Sequence, residues 1–140
     1  MKIKIGKKEL NIKYGYKPTL KERIVSKAVR LGKVTDENGE MNMEKVEDLL
    51  MFLPEMLLVG LQVHHKEYRY DLNTGEGKEE QLDKAFALVD EYMSDENAEA
   101  MGLFNSLQDA LLQDSFLASL FREDQKAEAA EDVLAEQEKN

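Results

Sequence analysis

Cysteine and tryptophan are both missing from this 140-residue sequence. Without cysteine there are no disulfides, no thiol nucleophiles and no cysteine-ligated zinc or iron–sulfur sites. Histidine occurs twice and proline twice, so nucleophile–base constellations are scarce. Long hydrophobic runs are lacking too. The longest, residues 49–63, spans 15 residues and is interrupted by Pro54, Glu55 and Gln62. A membrane-spanning helix needs about 18 or more apolar residues, so this stretch predicts a buried helix. The first residues, Met1 to Gly6, carry no apolar signal-peptide segment, and a cytoplasmic protein is expected.

The hydrophobic fraction is 42% and the charged fraction 34%, a balance that fits a globular chain with its own core. Charge is unevenly divided. Residues 1–33 hold 11 Lys and Arg against 2 Asp and Glu, a net of +9; residues 34–140 hold 8 against 27, a net of −19, which gives the overall −10. Such asymmetry permits attraction between copies or between the two ends of one copy. Net acidity argues against general nucleic-acid binding. Only Tyr14 and Tyr16 accompany the basic segment as stacking residues, so the lysines are expected to decorate the wet face of a small sheet.

Residues 2–5 and 9–16 alternate apolar and polar around Gly6, Lys7 and Lys8, the pattern of a β-hairpin. Ile3, Ile5, Leu10, Ile12 and Tyr14 would share its buried face. Pro18 and Thr19 open a helix carrying Leu20, Ile24, Val25, Ala28 and Leu31, with Gly32 as C-cap. Asn42 is placed to cap a helix over 43–66, apolar nearly all round between Leu49 and Leu61 and therefore central. Pro54 is expected to kink or divide it. A helix over 78–93 follows, with Leu82, Ala85, Phe86, Val89 and Met93 in one stripe. Another over 96–121 is capped by Ser94 or Asp95 and carries Met101, Phe104, Leu107, Leu111, Leu112, Phe116, Leu120 and Phe121. The expected fold is mainly α with a short N-terminal β-hairpin: one α+β domain over 1–121, hairpin at 1–17 and four to five helices over 18–121. Residues 122–140 form an acidic, helix-prone or disordered tail.

Catalytic and metal motifs fail on their own geometry. His64 and His65 are neighbours, about 100° apart on a helix, and cannot chelate one ion together; His64 with Glu67 or Tyr68 lacks a third ligand. The loops beginning at Asp36 and Asp71 resemble calcium loops only loosely. The first has Met41 where the turn needs glycine, and the second has Leu82 where the bidentate acid belongs. Gly75 and Gly77 lack the third glycine and the Lys–Ser/Thr of a phosphate loop. No metal, cofactor or catalytic residue is therefore assigned. What remains is an interaction surface. The 7 methionines and the stripe Phe116, Leu117, Leu120, Phe121 suit an adaptable partner site, the alternative being that the stripe is core.

The lysine-rich hairpin from Ile3 to Tyr16, followed by acidic helices in about 140 residues without Cys or Trp, resembles the tail assembly chaperones of long-tailed bacteriophages and prophages of Gram-positive bacteria. The resemblance covers the chain in outline, and its local signature is the hairpin. It implies a non-enzymatic protein of the host bacterial cytoplasm, absent from the mature virion, without cofactor, nucleic acid or membrane. Its implied partners are the tape measure protein, kept soluble by the chaperone, and the tail tube protein, whose subunits polymerise around it, with self-association possible. It also implies a longer second product made by ribosomal frameshifting. If Glu138, Lys139 and Asn140 are encoded GAA-AAA-AAC, those codons contain the slippery heptamer A-AAA-AAC. A structural tail or connector component and an acidic helical adaptor are the alternatives.

Overall fold

A computed structural model describes residues 1–120. Mainly helical, it opens with the expected hairpin. Strands β1 (Lys2–Ile5) and β2 (Lys8–Asn11) pair antiparallel, with Ile3 opposite Leu10 and Ile5 opposite Lys8. The loop is therefore two residues, Gly6 and Lys7, one shorter than the pattern suggested. Gly6 has φ +60, the positive value that primed two-residue turns require at their first position. The strands end at Asn11, but the pairing runs one residue further: the Ile12 amide donates to the Met1 carbonyl at 2.6 Å and the Met1 amino group donates to the Ile12 carbonyl at 3.1 Å. Alternation continues, and Ile12 and Tyr14 are as buried as Ile5 and Leu10. Beyond Ile12 the extended strap turns to a helix: the Lys13 amide donates to the Gly60 carbonyl at 2.9 Å.

Among the described residues five α-helices follow: α1 (Tyr16–Lys21), α2 (Ile24–Leu31), α3 (Met43–Leu61), α4 (Lys78–Met93) and α5 (Ala100–Gln113), with a short 3₁₀ turn at Lys66–Tyr68. Where one helix was expected after Pro18, two occur. Arg23, at φ +52 in the left-handed region, divides them. The break takes Leu20 out of the buried stripe; it is exposed, and α1 instead buries Pro18 and Thr19.

α3 is the central element. Its Asn42 cap accepts from the Lys45 amide at 3.2 Å, as expected. The helix runs unbroken through Pro54, so the expected division into two does not occur. Proline removes one intrahelical hydrogen bond, and here nearly every residue from Phe52 to Leu61 is buried against its neighbours, which holds the helix together. It ends at Leu61, short of the expected 66. One hydrophobic cluster extends from Ile5 through α3 to Leu117, so hairpin and helices share a core.

Charged groups bind the helices where apolar contact stops. Lys27 pairs with Glu55, and Lys78 pairs with Glu22 while lying 4.0 Å from Glu55. These half-buried pairs link α1, α2, α3 and α4. Beside them, burial first and the Glu22 and Glu55 carboxylates second push the Tyr70 phenol above its ordinary range. Thr19 is completely buried, and its hydroxyl has no hydrogen-bond partner among the described residues. An unsatisfied buried hydroxyl costs about 1–3 kcal/mol, whereas an isosteric methyl costs nothing. Thr19→Val should therefore match or exceed the wild type in thermal stability; a clear loss in a melting experiment would show that the hydroxyl has a partner after all.

A candidate docking surface

α4 starts and ends where the sequence places it, but its buried face is rotated. Ala85, Leu88 and Val89 point into the core, while Phe86 is 41% exposed. On α3, Leu50 is 39% and Met51 65% exposed. Phe86 was expected in the buried stripe of α4, and Leu50 and Met51 in a helix apolar nearly all round and central in the core. Leu50 and Phe86 flank a gap between α3 and α4, whereas Met51 lines a separate concavity with Arg30, Leu31, Lys33, Lys45 and Asp48.

That gap is a groove of about 320 Å³ lined by Leu50, Leu53, Pro54, Phe86, Val89, Asp90, Met93 and Ala100. Asp90 is its one charged lining residue. Two helical rows border it. Met43, Glu47, Leu50 and Pro54 follow each other at four- and three-residue steps along α3, and Glu79, Asp83, Phe86 and Asp90 do so along α4. Residues at such steps lie on one face. Glu47, Glu79, Asp83 and Asp90 are all exposed, and none forms a salt bridge among the described residues. The site is an apolar trough carrying Asp90, with Glu47, Glu79 and Asp83 further along the same two helical rows.

The stripe singled out at the C-terminal end is dispersed by the chain path. α5 stops at Gln113. The Ser115 hydroxyl then bridges backwards to the Leu111 carbonyl and accepts from the Leu117 amide at 3.1 Å. This turn resets the helical phase, so Phe116 and Leu117 do not continue the face of Leu107 and Leu111. Leu117 joins the core. Phe116 is half-buried with its ring 5.1 Å from that of Tyr16, itself 69% exposed. Leu120 is 54% exposed, and Phe121 lies outside the described residues, as do residues 122–140. The Ser94 and Asp95 cap expected for this helix is also displaced. The Ser94 hydroxyl donates to the Glu91 carbonyl at the end of α4, Asp95 closes a turn onto the Asn97 amide, and Glu99 precedes α5 without a side-chain cap.

The loops beginning at Asp36 and Asp71 turn these carboxylates onto their own backbone. Asp36 accepts from the Asn38 and Glu40 amides, both at 2.9 Å, and Asp71 accepts from the Asn73 and Thr74 amides at 2.8 and 3.0 Å. The latter bonds hold the Asp71 carboxyl below its usual range. His65, not His64, meets Glu67, through Nδ1 at 3.2 Å, while its Nε2 accepts from the Asn11 amide at 2.9 Å. That bond makes Nδ1 the protonated nitrogen of the neutral ring and ties β2 to the end of α3. Among the described residues no group of three or more histidine or acidic side chains is arranged to hold a metal. No helix among them is long and apolar enough to cross a membrane.

Comparison of the chain with protein-family models, with curated proteins and with solved structures gives no match.

Proposed function

We propose that this chain is a phage tail assembly chaperone. In this reading it binds the helical, hydrophobic tape measure protein, keeps it soluble, and releases it as tail tube subunits polymerise around it in the host cytoplasm. The observation that carries the reading is the open groove between α3 and α4. It offers apolar contact to the stripe of a client helix without enclosing it. A chaperone that must later be displaced needs shallow, repeated contacts, not one sealed pocket. Met93 in the groove wall adapts to varied side chains because its thioether chain is unbranched and flexible. The hairpin that carries the family resemblance is present over Lys2–Asn11, and its burial against α3 leaves the groove free.

The decisive experiment is co-expression with the tape measure protein of the same locus. The expected result is a soluble tape measure protein that co-purifies with this chain. An insoluble tape measure protein, with this chain alone in the soluble fraction, would overturn the reading. Mass spectrometry of purified virions separates the chaperone from a structural tail component, since a chaperone leaves no peptides there. An immunoblot of cells carrying the native locus checks the frameshifted product, expected as a minor band above the 16.0 kDa chain.

A further inference from the structure

Helix α1 leaves an apolar face open, and the described chain ends beside it. Tyr16 and Leu20 are 69% and 45% exposed. They are four residues apart, so their side chains are surface neighbours. With Lys17 and Lys21 they line a shallow concavity of about 480 Å³ to which the described residues contribute no carboxylate. Neither lysine forms a salt bridge among the described residues. The Phe116 ring lies 5.1 Å from that of Tyr16. Directly after it the Leu120 amide donates to the Leu117 carbonyl at 3.0 Å and closes a turn. The residues that follow therefore start within one turn of the open face.

Their sequence complements it. Between Phe121 and Asp132 there are 5 Asp and Glu against 2 Lys and Arg. Read at helical spacing from Leu117, which enters the core, the positions Phe121, Asp124, Glu128 and Glu131 share one face, and Arg122 and Lys126 fall on another. That face carries one aromatic ring followed by three acids, the counterpart of an apolar pair flanked by two lysines. We propose that residues 121–131 fold back as a helix on α1 of the same chain. Phe121 seats on Tyr16 and Leu20, and Asp124, Glu128 and Glu131 face Lys17 and Lys21. A segment tethered so closely meets its site at an effective concentration on the order of millimolar, so a contact too weak to hold between separate molecules is populated within one. Docked, the segment covers the cationic apolar face and leaves the α3–α4 groove open. The contact is a property of the chain alone and is independent of any client.

The test uses a spin label on Ala130→Cys in the full chain. The sequence has no cysteine, so the label is unique, and at helical spacing it points away from the docking face. Amide line broadening is then read from NMR spectra of dilute protein. The expected result is broadening at Lys17, Leu20 and Lys21, reduced roughly threefold or more in high salt. Lys17→Glu with Lys21→Glu is expected to reduce it equally, and adding Asp124→Lys with Glu128→Lys to restore it. Both lysines are exposed, and circular dichroism verifies folding; should the charge variants not fold, Phe121→Ser is expected to give the same loss. A segment that is merely tethered broadens its surroundings whatever the charge at 17 and 21. Unbroadened α1 amides overturn the proposal, as does broadening that survives both charge reversal and Phe121→Ser. Broadening that appears when spin-labelled chain is mixed with isotope-labelled chain lacking the spin label would show a contact between copies, and overturns it too.

Discussion

Gly60→Val is expected to lower the melting temperature by roughly 10 °C. The cause is the extended strap from Ile12 to Tyr14, which lies directly on α3. A Cβ at position 60 would sit 2.8 Å from Ile12 Cγ2, 3.2 Å from Tyr14 Cζ and 3.3 Å from the Tyr14 hydroxyl. None of these atoms is free to retreat. Ile12 and Tyr14 are almost wholly buried, and the Tyr14 hydroxyl donates to the Met56 carbonyl at 2.8 Å; burial also drives that phenol far above its ordinary pKa range. Overpacking at such a site costs about 1–3 kcal/mol, occasionally more, and a branched side chain falls at the upper end. In a domain of this size each kcal/mol moves the midpoint by roughly 3–5 °C.

Alanine at the same position is the sharper case, because two effects oppose each other. Glycine in a helix interior is worse than alanine by about 1 kcal/mol, so propensity alone favours the change. The collision with a pinned strap outweighs that gain, and Gly60→Ala is expected to be destabilising. Gly102 in α5 supplies the control. The nearest atom to a Cβ there is Glu99 Cβ at 3.5 Å, an ordinary contact, so Gly102→Ala should stabilise by about 0.5–1 kcal/mol. The pair is read by thermal melts of both variants. If Gly60→Ala melts above the wild type, the strap is not held against α3 as described.

The strap also shows what kind of structure periodicity reveals. Alternation from Lys2 to Tyr14 marked the buried residues Ile5, Leu10, Ile12 and Tyr14 without distinguishing a strand from an extended segment on a helix, since both bury every second side chain. The composition of residues 49–61 pointed to a central helix for the same reason: only a helix surrounded by others is apolar on all sides. Position within a stripe was less legible. Phe86 belongs to the apolar arc of α4 with Val89 and Met93, and the wheel alone does not say how far a neighbouring helix covers that arc. The one sign was its company in the row of Glu79, Asp83 and Asp90, an acidic row that cannot be buried. The breaks at Arg23 and at Asp114–Ser115 left no glycine or proline to announce them. Each shifts the helical phase, and with it the exposure of Leu20 and the burial of Leu117.

The proposed client surface gives the second large effect. Phe86→Asp should reduce recovery of the tape measure protein by about 30-fold or more, equivalent to a central contact worth roughly 2 kcal/mol or above. The aspartate removes the largest apolar side chain on the groove's open side and adds a fourth charge to the row already holding Glu79, Asp83 and Asp90. Stability should change little, because Phe86 is 41% exposed and its helix is anchored by Ala85, Leu88 and Val89. Phe86→Leu separates the two contributions. It keeps an apolar side chain without new charge and should retain most of the binding, because volume-reducing apolar changes at an open site leave no sealed cavity. The C-terminal stripe makes a contrasting forecast. If the client lay on Phe116, Leu120 and Phe121, then Phe116→Asp with Phe121→Asp would abolish recovery and Phe86→Asp would not. The geometry favours the groove. Leu117 faces the core and Phe116 is engaged by Tyr16, which leaves Leu120 as the one freely offered member of the stripe among the described residues. Co-purification of all three variants at matched expression decides between the surfaces, and undiminished recovery with Phe86→Asp would reject the groove as the client site.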